Sequence, residues 1–480
     1  MRVVTSSFLG MAAVGLSLLA GCPDRTISEV NPQQGRVEFK DIPITVNRNI
    51  DILFVIDDSP SMADKQNNLA NNFPNFINVL NTIEGGLPDV HIGVVNSDVG
   101  TKATQDAAPG PAIGSIGQGG CSGTGDSGNL QISGAPVQGT FISDIKLANG
   151  MRQTNYTGDL ATVFGTMARV GAGGCGFEQH LESMRRALNN NAANAGFLRP
   201  DAYLAVIFIA DEDDCSMSKS ALLGPQSAAL GPQQSFRCTR FGVTCDQGGT
   251  TTDAMNQVGT KGQCHPNENS QYLEKVQTYV DFLKSLKPND PSKVIVAGIM
   301  GTIEPFQVEL RSPPNGGTPE QALAHSCTYQ GANGPEVADP PVRIKFLLDQ
   351  FPNRSTYTTI CQQNLADGLT LIAQLLKTVL GSPCIEGKLA DVDPNTTGNQ
   401  YDCSVSYVSN YGKPTQTEQV LPECNAPGPQ ATNKPCWHIA EDMMKCSMAP
   451  HLALKTEDAS TPPPDTHTVA YCVTEAEDAD

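Results

Sequence analysis

Mostly apolar runs alternate along the chain with stretches in which apolar residues recur every three or four positions. The runs are rich in β-branched residues, which is typical of strands buried on both faces of a parallel sheet, and they lie at residues 52–56, 90–95, 203–210 and 294–299. The stretches with helical spacing lie near residues 69–83, 158–170, 178–188, 272–286 and 365–379. This alternation predicts an α/β fold with a doubly wound, mostly parallel sheet.

Two of the apolar runs end in acidic residues. The run at 52–56 is followed by Asp57-Asp58-Ser59-Pro60-Ser61, and the run at 203–210 is followed by four consecutive acids, 211–214. In a doubly wound sheet with strand order 3-2-1-4-5-6, the first and fourth strands are neighbours at the switch point where ligands bind. We therefore expect Asp57 and Asp211 to face each other across the crevice, with a cation to offset their repulsion.

The turn after the first strand offers one carboxylate and two hydroxyl groups. Asp57, Ser59 and Ser61 supply hard oxygen donors, which Mg²⁺, Mn²⁺ and Ca²⁺ prefer. A simpler interpretation is that these side chains only cap the following helix, because Asp and Ser are favoured at that position. We interpret Asp213 and Asp214 as solvated loop acids and not as ligands.

This turn resembles the metal-ion-dependent adhesion site of von Willebrand factor type A domains, whose signature is DxSxS at the end of the first strand. The resemblance covers about residues 47–381 and is carried by DILFVIDDSPSM and YLAVIFIADEDD. It implies Ser59 and Ser61 as direct ligands and Asp57 and Asp211 as direct or water-mediated ligands. It also implies a divalent cofactor (Mg, Mn or Ca) and a protein partner whose acidic side chain completes the coordination.

The sequence departs from that family at one ligand position. The family usually provides a threonine before the helix that corresponds to 178–188, whereas this loop reads Gly-Gly-Cys-Gly-Phe-Glu and Glu178 is its nearest oxygen donor. Either Glu178 substitutes for the threonine, or the site is incomplete. An added carboxylate would weaken the attraction for a partner's acid and favour Ca²⁺.

Charge and motifs narrow the function. The 480 residues carry a formal net charge of −19 without a basic stripe, so a nucleic-acid partner is not expected. No HExxH pair, P-loop or GxSxG elbow is present. We expect a binding or adhesion protein and not an enzyme. An envelope scaffold whose cation is only structural is the main alternative, and a metal-assisted hydrolase is the weakest one.

The amino-terminal segment predicts export and lipidation. A mostly apolar run at 8–20, too short to span a bilayer stably, ends in Leu19-Ala20-Gly21-Cys22, which looks like a bacterial lipobox. Residues 1–22 would be the signal peptide, and a diacylated Cys22 would anchor the protein in the membrane. An ordinary secretory signal with an incidental cysteine is the alternative. We expect a lipid-anchored protein of the cell envelope, at the outer membrane or cell surface.

The cysteines agree with export. Apart from Cys22, 14 cysteines remain, and they form no CxxC pairs, so disulfides are favoured over zinc sites. The pairing does not follow from the sequence. Cys175 and Cys215 lie on the loops nearest the expected site. A disulfide between them would make that site rigid, although each could equally pair elsewhere.

The remaining segments complete the predicted organisation. Residues 23–46 form a tether, with one possible edge strand at 36–39. The α/β domain at 47–381 carries insertions near 100–150, 216–266 and 301–341. Residues 382–480 form a cysteine-rich module with short strands and an acidic tail from Glu475.

Overall fold

The protein is described here from a computed structural model. The structure describes residues 35–475 apart from residues 44–46, 84–85, 148, 289, 314–315, 382, 386, 394, 396–399, 412–414, 427, 444–445, 447–450, 461 and 464–465. The predicted signal peptide with Cys22, the beginning of the predicted tether and residues 476–480 of the predicted acidic tail lie outside the described residues.

The strands are numbered in chain order. They are β1 Gly35–Pro43, β2 Asn49–Ile56, β3 Asp89–Asn96, β4 Ile142–Lys146, β5 Arg152–Thr154, β6 Tyr203–Ile209, β7 Val243–Gln247, β8 Gly259–Thr260, β9 Gly262–Pro266, β10 Val294–Met300, β11 Gln307–Arg311, β12 Glu320–Leu323, β13 Cys327–Gln330, β14 Pro335–Ala338, β15 Ser355–Thr359, β16 Cys384–Ile385, β17 Cys403–Ser409, β18 Thr417–Leu421, β19 Cys436–Glu441, β20 Leu452–Glu457 and β21 Thr466–Glu475. The helices are α1 Ala63–Asn81, α2 Leu160–Met167, α3 His180–Leu188, α4 Phe236–Gly242, α5 Thr252–Met255, α6 Val276–Ser285, α7 Val342–Asp349 and α8 Ala366–Val379.

A seven-stranded sheet forms the centre of the molecule. Its order is β15-β10-β6-β2-β3-β4-β5, with β4 and β5 antiparallel to their neighbours and the other five strands parallel. The predicted α/β class and mostly parallel sheet are confirmed. The sixth strand in this order, β4, lies inside the 100–150 segment that was predicted to be an insertion.

Alternate residues of the central strands are buried against helices on opposite faces of the sheet. Phe54 packs with residues of α1, α2 and α8, whereas Leu53 and Val55 pack with α3, α6 and α7. All seven residues of β6 are buried, as are all but the first residue of β2. The unbroken apolar runs therefore reflect burial on both faces.

Long connections cover the edge of the sheet at which the parallel strands end. They are held by disulfides Cys121–Cys175, Cys215–Cys238, Cys245–Cys264 and Cys327–Cys361. A disulfide between Cys175 and Cys215, one of the pairings considered from the sequence, is thus wrong. Cys175 pairs with the 100–130 connection and Cys215 pairs with α4, so these bridges join the loops near the expected site to two different insertions.

The carboxyl-terminal residues form two small sheets, β1-β21-β17-β18 and β16-β20-β19, with three internal disulfides. Strand β1 belongs to the first sheet and pairs with β21 along nine residues, so residues 35–43 do not act as a tether. The buried Asp41 of β1 pairs with Arg354, which lies just before β15. The module therefore packs at the sheet edge where the parallel strands begin, opposite the expected site.

None of the helices within the described ranges is long and apolar enough to cross a membrane.

Candidate metal centre

The turn after β2 holds its polar groups inward. The backbone N–H of Asp57 donates to the carbonyl of Ile209 at 2.9 Å, which keeps the ends of β2 and β6 side by side. Asp57 Oδ1 then accepts the N–H of Ser59 at 2.7 Å, and the hydroxyl oxygens of Ser59 and Ser61 lie 3.0 Å apart. The Ser59 side chain makes no capping bond to the following helix. Helix capping therefore does not account for these hydroxyl groups.

Asp57 and Asp211 each keep a carboxylate oxygen without a partner. The side chains are 0% and 2% exposed, and within the part of the chain that the structure describes, Asp57 Oδ2 and Asp211 Oδ1 accept no hydrogen bond. Burial, and then the nearby charge of Asp57, raise the pKa of Asp211 to about 6. Buried carboxylate oxygens of this kind normally have a donor or a cation beside them.

Lys65 of α1 supplies one positive charge to the site. Its Nζ lies 3.0 Å from Asp211 Oδ2, 2.8 Å from Glu336 Oε2 and 3.1 Å from the carbonyl of Ser61. Burial would lower the pKa of Lys65, but Asp211 and Glu336 outweigh that effect and raise it. Lys65 thus stays charged and forms an ion pair with the Asp211 carboxylate through Oδ2. This residue was not predicted from the sequence.

His180, the first residue of α3, is a second residue that the sequence analysis missed. It is completely buried, and its Nε2 lies 3.5 Å from Asp57 Oδ2, within ion-pair range but without hydrogen-bond geometry. Burial lowers the pKa of His180, yet Asp57 and further carboxylates raise it above its usual value. A protonated His180 would partly offset the charge of Asp57.

Glu178 lies beside the site and also lines a neighbouring cavity. The residue is 2% exposed and lines a cavity together with Glu212. Burial and the charges of Glu212 and Asp57 raise the pKa of Glu178 well above its usual value. Glu178 thus lies close enough to Asp57 for the two charges to repel, and its substitution for the missing threonine stays a prediction.

The acids next to the site have structural partners. Asp214 is buried, accepts the N–H of Leu181 and pairs with Arg343 at 3.1 Å, while Asp213 accepts the N–H groups of Arg343 and Ile344 at the start of α7. The expectation of solvated loop acids is wrong, because helix amino termini and a buried arginine hold both carboxylates. Neither is free to bind an ion.

The Asp58 carboxylate is hydrogen-bonded to Ser97, the residue that follows β3. Its Oδ1 accepts the hydroxyl of Ser97 at 3.0 Å, and burial, then the charges of Asp57 and Asp98, raise its pKa to about 8. A Cβ atom on Gly174 would lie 2.3 Å from the Asp58 carboxylate, so the loop that follows α2 approaches as closely as it does only because residue 174 is glycine.

The oxygen donors at the two strand ends are of the chemical kind that a small hard cation prefers. Asp57 Oδ2, Asp211 Oδ1 and the hydroxyls of Ser59 and Ser61 give four oxygens, to which waters or a partner's carboxylate would add the rest of an octahedron. Across the described ranges, no three or more His, Cys, Asp or Glu side chains are arranged to hold a metal ion. The four donors include only two carboxylates, so a cation here would depend on the serines. Pro60 and Ser61 are exposed and form the opening of the site.

Comparison with known proteins adds little. No protein-family model and no curated protein matches this chain. Similar solved structures include "von Willebrand factor type A from Catenulispora acidiphila" (10% identity, TM-score 0.25, covering 94% of this chain and 68% of that one). They also include "conserved hypothetical protein BatB from Bacteroides thetaiotaomicron" (9%, 0.26, 69% and 98%).

A third similar structure is the "pilus adhesin (RrgA) from Streptococcus pneumoniae" (12% identity, TM-score 0.26), which covers 93% of this chain, whereas this chain spans 58% of the adhesin. TM-scores of this size are too low for any of the three similarities to support a conclusion about this chain. The fold described above rests on the sheet of this chain alone.

Proposed function

We propose that this chain is an envelope protein of the von Willebrand factor type A kind, which binds a divalent cation between Asp57 and Asp211 and, through it, an acidic side chain of a protein partner. Ser59 and Ser61 would be the other protein ligands. The bound cation would supply the positive charge that a partner's carboxylate recognises. The proposal is for a binding protein and not for an enzyme.

One observation carries the proposal. Two buried aspartates that follow different strands each keep one carboxylate oxygen that accepts no hydrogen bond from the described residues, beside two hydroxyl groups that make no capping bond in that part of the chain. A buried carboxylate oxygen that accepts no hydrogen bond is costly, so its presence at both strand ends favours a ligand that the protein does not itself provide.

The charges of the surrounding residues agree with this. Asp57, Asp211 and Glu336 carry three negative charges and Lys65 returns one, which leaves two negative charges uncompensated when His180 is neutral and one when it is protonated. A divalent ion would then leave the site with one net positive charge when His180 is protonated, which suits capture of a carboxylate, and with no net charge when His180 is neutral. The nearby Glu178 and Glu212 would reduce that charge if both were ionised.

Calorimetric titration of Mg²⁺, Mn²⁺ and Ca²⁺ into wild type and Asp57→Ala tests the proposal. Wild type should bind at least one of these ions at one site, and the variant should not, while its circular dichroism stays unchanged. Asp246→Asn, an exposed acid on β7 outside the turn, is the matched control and should bind like wild type. Equal heats for wild type and Asp57→Ala would reject the metal site.

A scaffold function is the second candidate, and a specific observation favours it. Lys65 and His180 place two of the protein's own cationic groups against Asp211 and Asp57, so the turn could be held without a metal. Capture of an envelope partner with and without EDTA separates the candidates. Binding through the cation should be lost in EDTA, whereas scaffold binding should survive it.

Export and anchoring form the second part of the proposal. Fourteen of the fifteen cysteines form seven disulfides, which supports folding outside the cytoplasm and leaves Cys22 as the remaining cysteine. Cys22 directly follows Leu19-Ala20-Gly21, where lipidation would place it at the mature amino terminus. The anchored protein would present its site on the envelope, with the small module on the opposite edge of the sheet.

A further inference from the structure

One edge of the larger sheet in the small module is open. The order β1-β21-β17-β18 leaves β18 at an edge, and among the described residues no further strand pairs with its outer side. The first four of its five residues, 417–420, are exposed. The outer N–H and C=O groups of such a strand are available to pair with another chain.

The two edges of this sheet differ in how they are protected. Strand β1, at the other edge, carries Glu38, Lys40, Asp41 and Pro43, and charged side chains and proline are common means of preventing further pairing. Strand β18 reads Thr-Glu-Gln-Val-Leu, with Glu418 as its one charged residue and without lysine or proline. Glu418 forms no ion pair with any residue that the structure describes. The edge at β18 is therefore the less protected one.

A cavity lies on each face of the pair formed by β17 and β18. Successive side chains of a strand point to opposite faces of the sheet. One cavity, of about 380 Å³, is lined by Tyr407, Ser409 and Thr417, which share one face. The other, of about 410 Å³, is lined by Val408 and by its partner in the register, Glu418, on the opposite face. A strand added beside β18 would direct its side chains alternately towards the two cavities.

The first cavity is acidic. Asp458 lines it, Glu418 borders both cavities, and no lysine, arginine or histidine is part of its lining. The hydroxyl group of Tyr407 lies 2.8 Å from each carboxylate oxygen of Asp458, but no basic side chain within the described ranges pairs with this acid. Even with Glu418 assigned to the other cavity, one negative charge remains. A basic side chain complements this face.

The second cavity favours an uncharged, apolar side chain. Its floor consists of three apolar residues that are each less than 10% exposed, Phe351, Val408 and Val469. The charges of its lining balance, because Lys284 offsets Glu418 and the buried Arg354 is paired with Asp41. A cation would therefore gain less here than beside Asp458, whereas an apolar side chain would cover the floor.

We propose that β18 binds an extended segment of a protein partner as an added strand. The segment would place a lysine or arginine on the face of Asp458 and an apolar side chain at the next position, on the face of Phe351. Main-chain hydrogen bonds to β18 would provide affinity, and the two cavities would select this alternation. The surface belongs to the small module, away from Asp57 and Asp211, and its binding does not depend on a metal.

The test uses the full mature chain in EDTA and fluorescence anisotropy of labelled peptides. The probe is fluorescein-Thr-Lys-Val-Lys-Val-Thr-amide, and the comparator is fluorescein-Thr-Lys-Lys-Val-Val-Thr-amide, which has the same composition and charge. The alternating peptide should bind about tenfold more tightly, because only this peptide places its lysines on one face and its valines on the other. Equal binding of the two peptides would overturn the proposal.

Methylation of the peptide backbone tests strand addition itself. Successive N–H groups of an extended strand point to opposite sides, so the N–H groups of the two lysines point one way and those of the two valines the other. N-methylation of one of these two pairs should weaken binding about tenfold, and N-methylation of the other should be tolerated. Equal effects of the two modifications would contradict an added strand.

A variant locates the surface on β18. Glu418→Lys should weaken binding of the alternating peptide about tenfold, because it replaces the exposed acid of the edge by a like charge. Asp246→Lys, a change of the same charge at an exposed acid on β7, should leave binding unchanged, and equal effects of the two variants would overturn the assignment to β18. Normal magnesium heats without peptide binding would reject this surface but not the proposed function.

Discussion

Replacement of Lys65 by methionine tests whether this ammonium group and a divalent cation share the same carboxylate. Lys65 is fully buried and makes two ion pairs, with Asp211 at 3.0 Å and Glu336 at 2.8 Å. Lys65→Met leaves both carboxylates without their cation, which typically costs about 3–5 kcal/mol for a buried pair. We expect a loss of that size in metal-free protein, measured by urea unfolding in EDTA.

The same change should improve binding of a divalent cation. A unit charge within a few ångströms of a divalent ion opposes it by about 2 kcal/mol even at the dielectric constant of water, so Lys65→Met should bind the ion at least tenfold more tightly. At an ion concentration about 100 times the wild-type Kd, wild type gains about 2.7 kcal/mol and the variant about 4.1 kcal/mol. The stability gap between the two proteins should therefore narrow by about 1.4 kcal/mol when Mg²⁺ is added.

Lys345→Met is the matched control. Lys345 also lies on a helix and pairs with a carboxylate, Asp349, at 2.5 Å, but the pair is far more exposed. Its loss should cost less than about 1 kcal/mol, with or without Mg²⁺. An unchanged ion affinity in Lys65→Met, together with a stability gap that Mg²⁺ does not alter, would refute the idea that Lys65 and the ion share Asp211.

Three further predictions concern the anchor, the loops and the small module. Cys22→Ser should abolish incorporation of radiolabelled palmitate and move the protein from the membrane fraction to the soluble one; labelling equal to wild type would contradict the assignment of Cys22. Replacing Cys121 and Cys175 together by alanine should lower the free energy of unfolding by about 4 kcal/mol, since the bridge closes a loop of 54 residues, and denaturant titration would reveal it. Burial raises the pKa of Asp41, but Arg354 and His467 outweigh that effect and hold the pKa below its ordinary 3.8. The ionised Asp41 therefore stabilises the folded protein above pH 3.8, and this stabilisation is lost as the pH falls through the lowered pKa of the folded state. Asp41→Asn should therefore be less stable than wild type at pH 7 and should show a smaller loss on acidification below pH 4 in chemical denaturation; equal acid sensitivity would contradict this account.

The fold was largely predictable because its central strands are buried on both faces. Such strands must be apolar throughout, and the runs before Asp57 and before Asp211 therefore stand out in the sequence. Strand β4 did not stand out, since it is half-buried and lies within a glycine-rich connection. Strand β1 was predicted only as a possible short edge strand, because its partner β21 lies more than 400 residues away.

The site was less predictable than the sheet, since several of its charges come from distant parts of the chain. Glu336 lies 271 residues from Lys65, and no local pattern connects them. The position of Lys65 could have been recognised from the sequence. It precedes Leu69 by four residues and Phe73 by eight, so helical periodicity places this lysine on the buried face of α1. A buried lysine one turn after a DxSxS turn is a reason to look for an acid at that strand end. The orientation of Glu178 depends on loop packing around Cys175 and had no such signal.

Anomalous scattering from crystals grown with Mn²⁺ would test the central assignment most directly. The account predicts one strong peak at about 2.0–2.3 Å from oxygens of Asp57 or Asp211 and of Ser59 and Ser61, with Lys65 still beside Asp211. Crystals that show full Mn²⁺ peaks elsewhere on the protein, and none between these two strand ends, would contradict it.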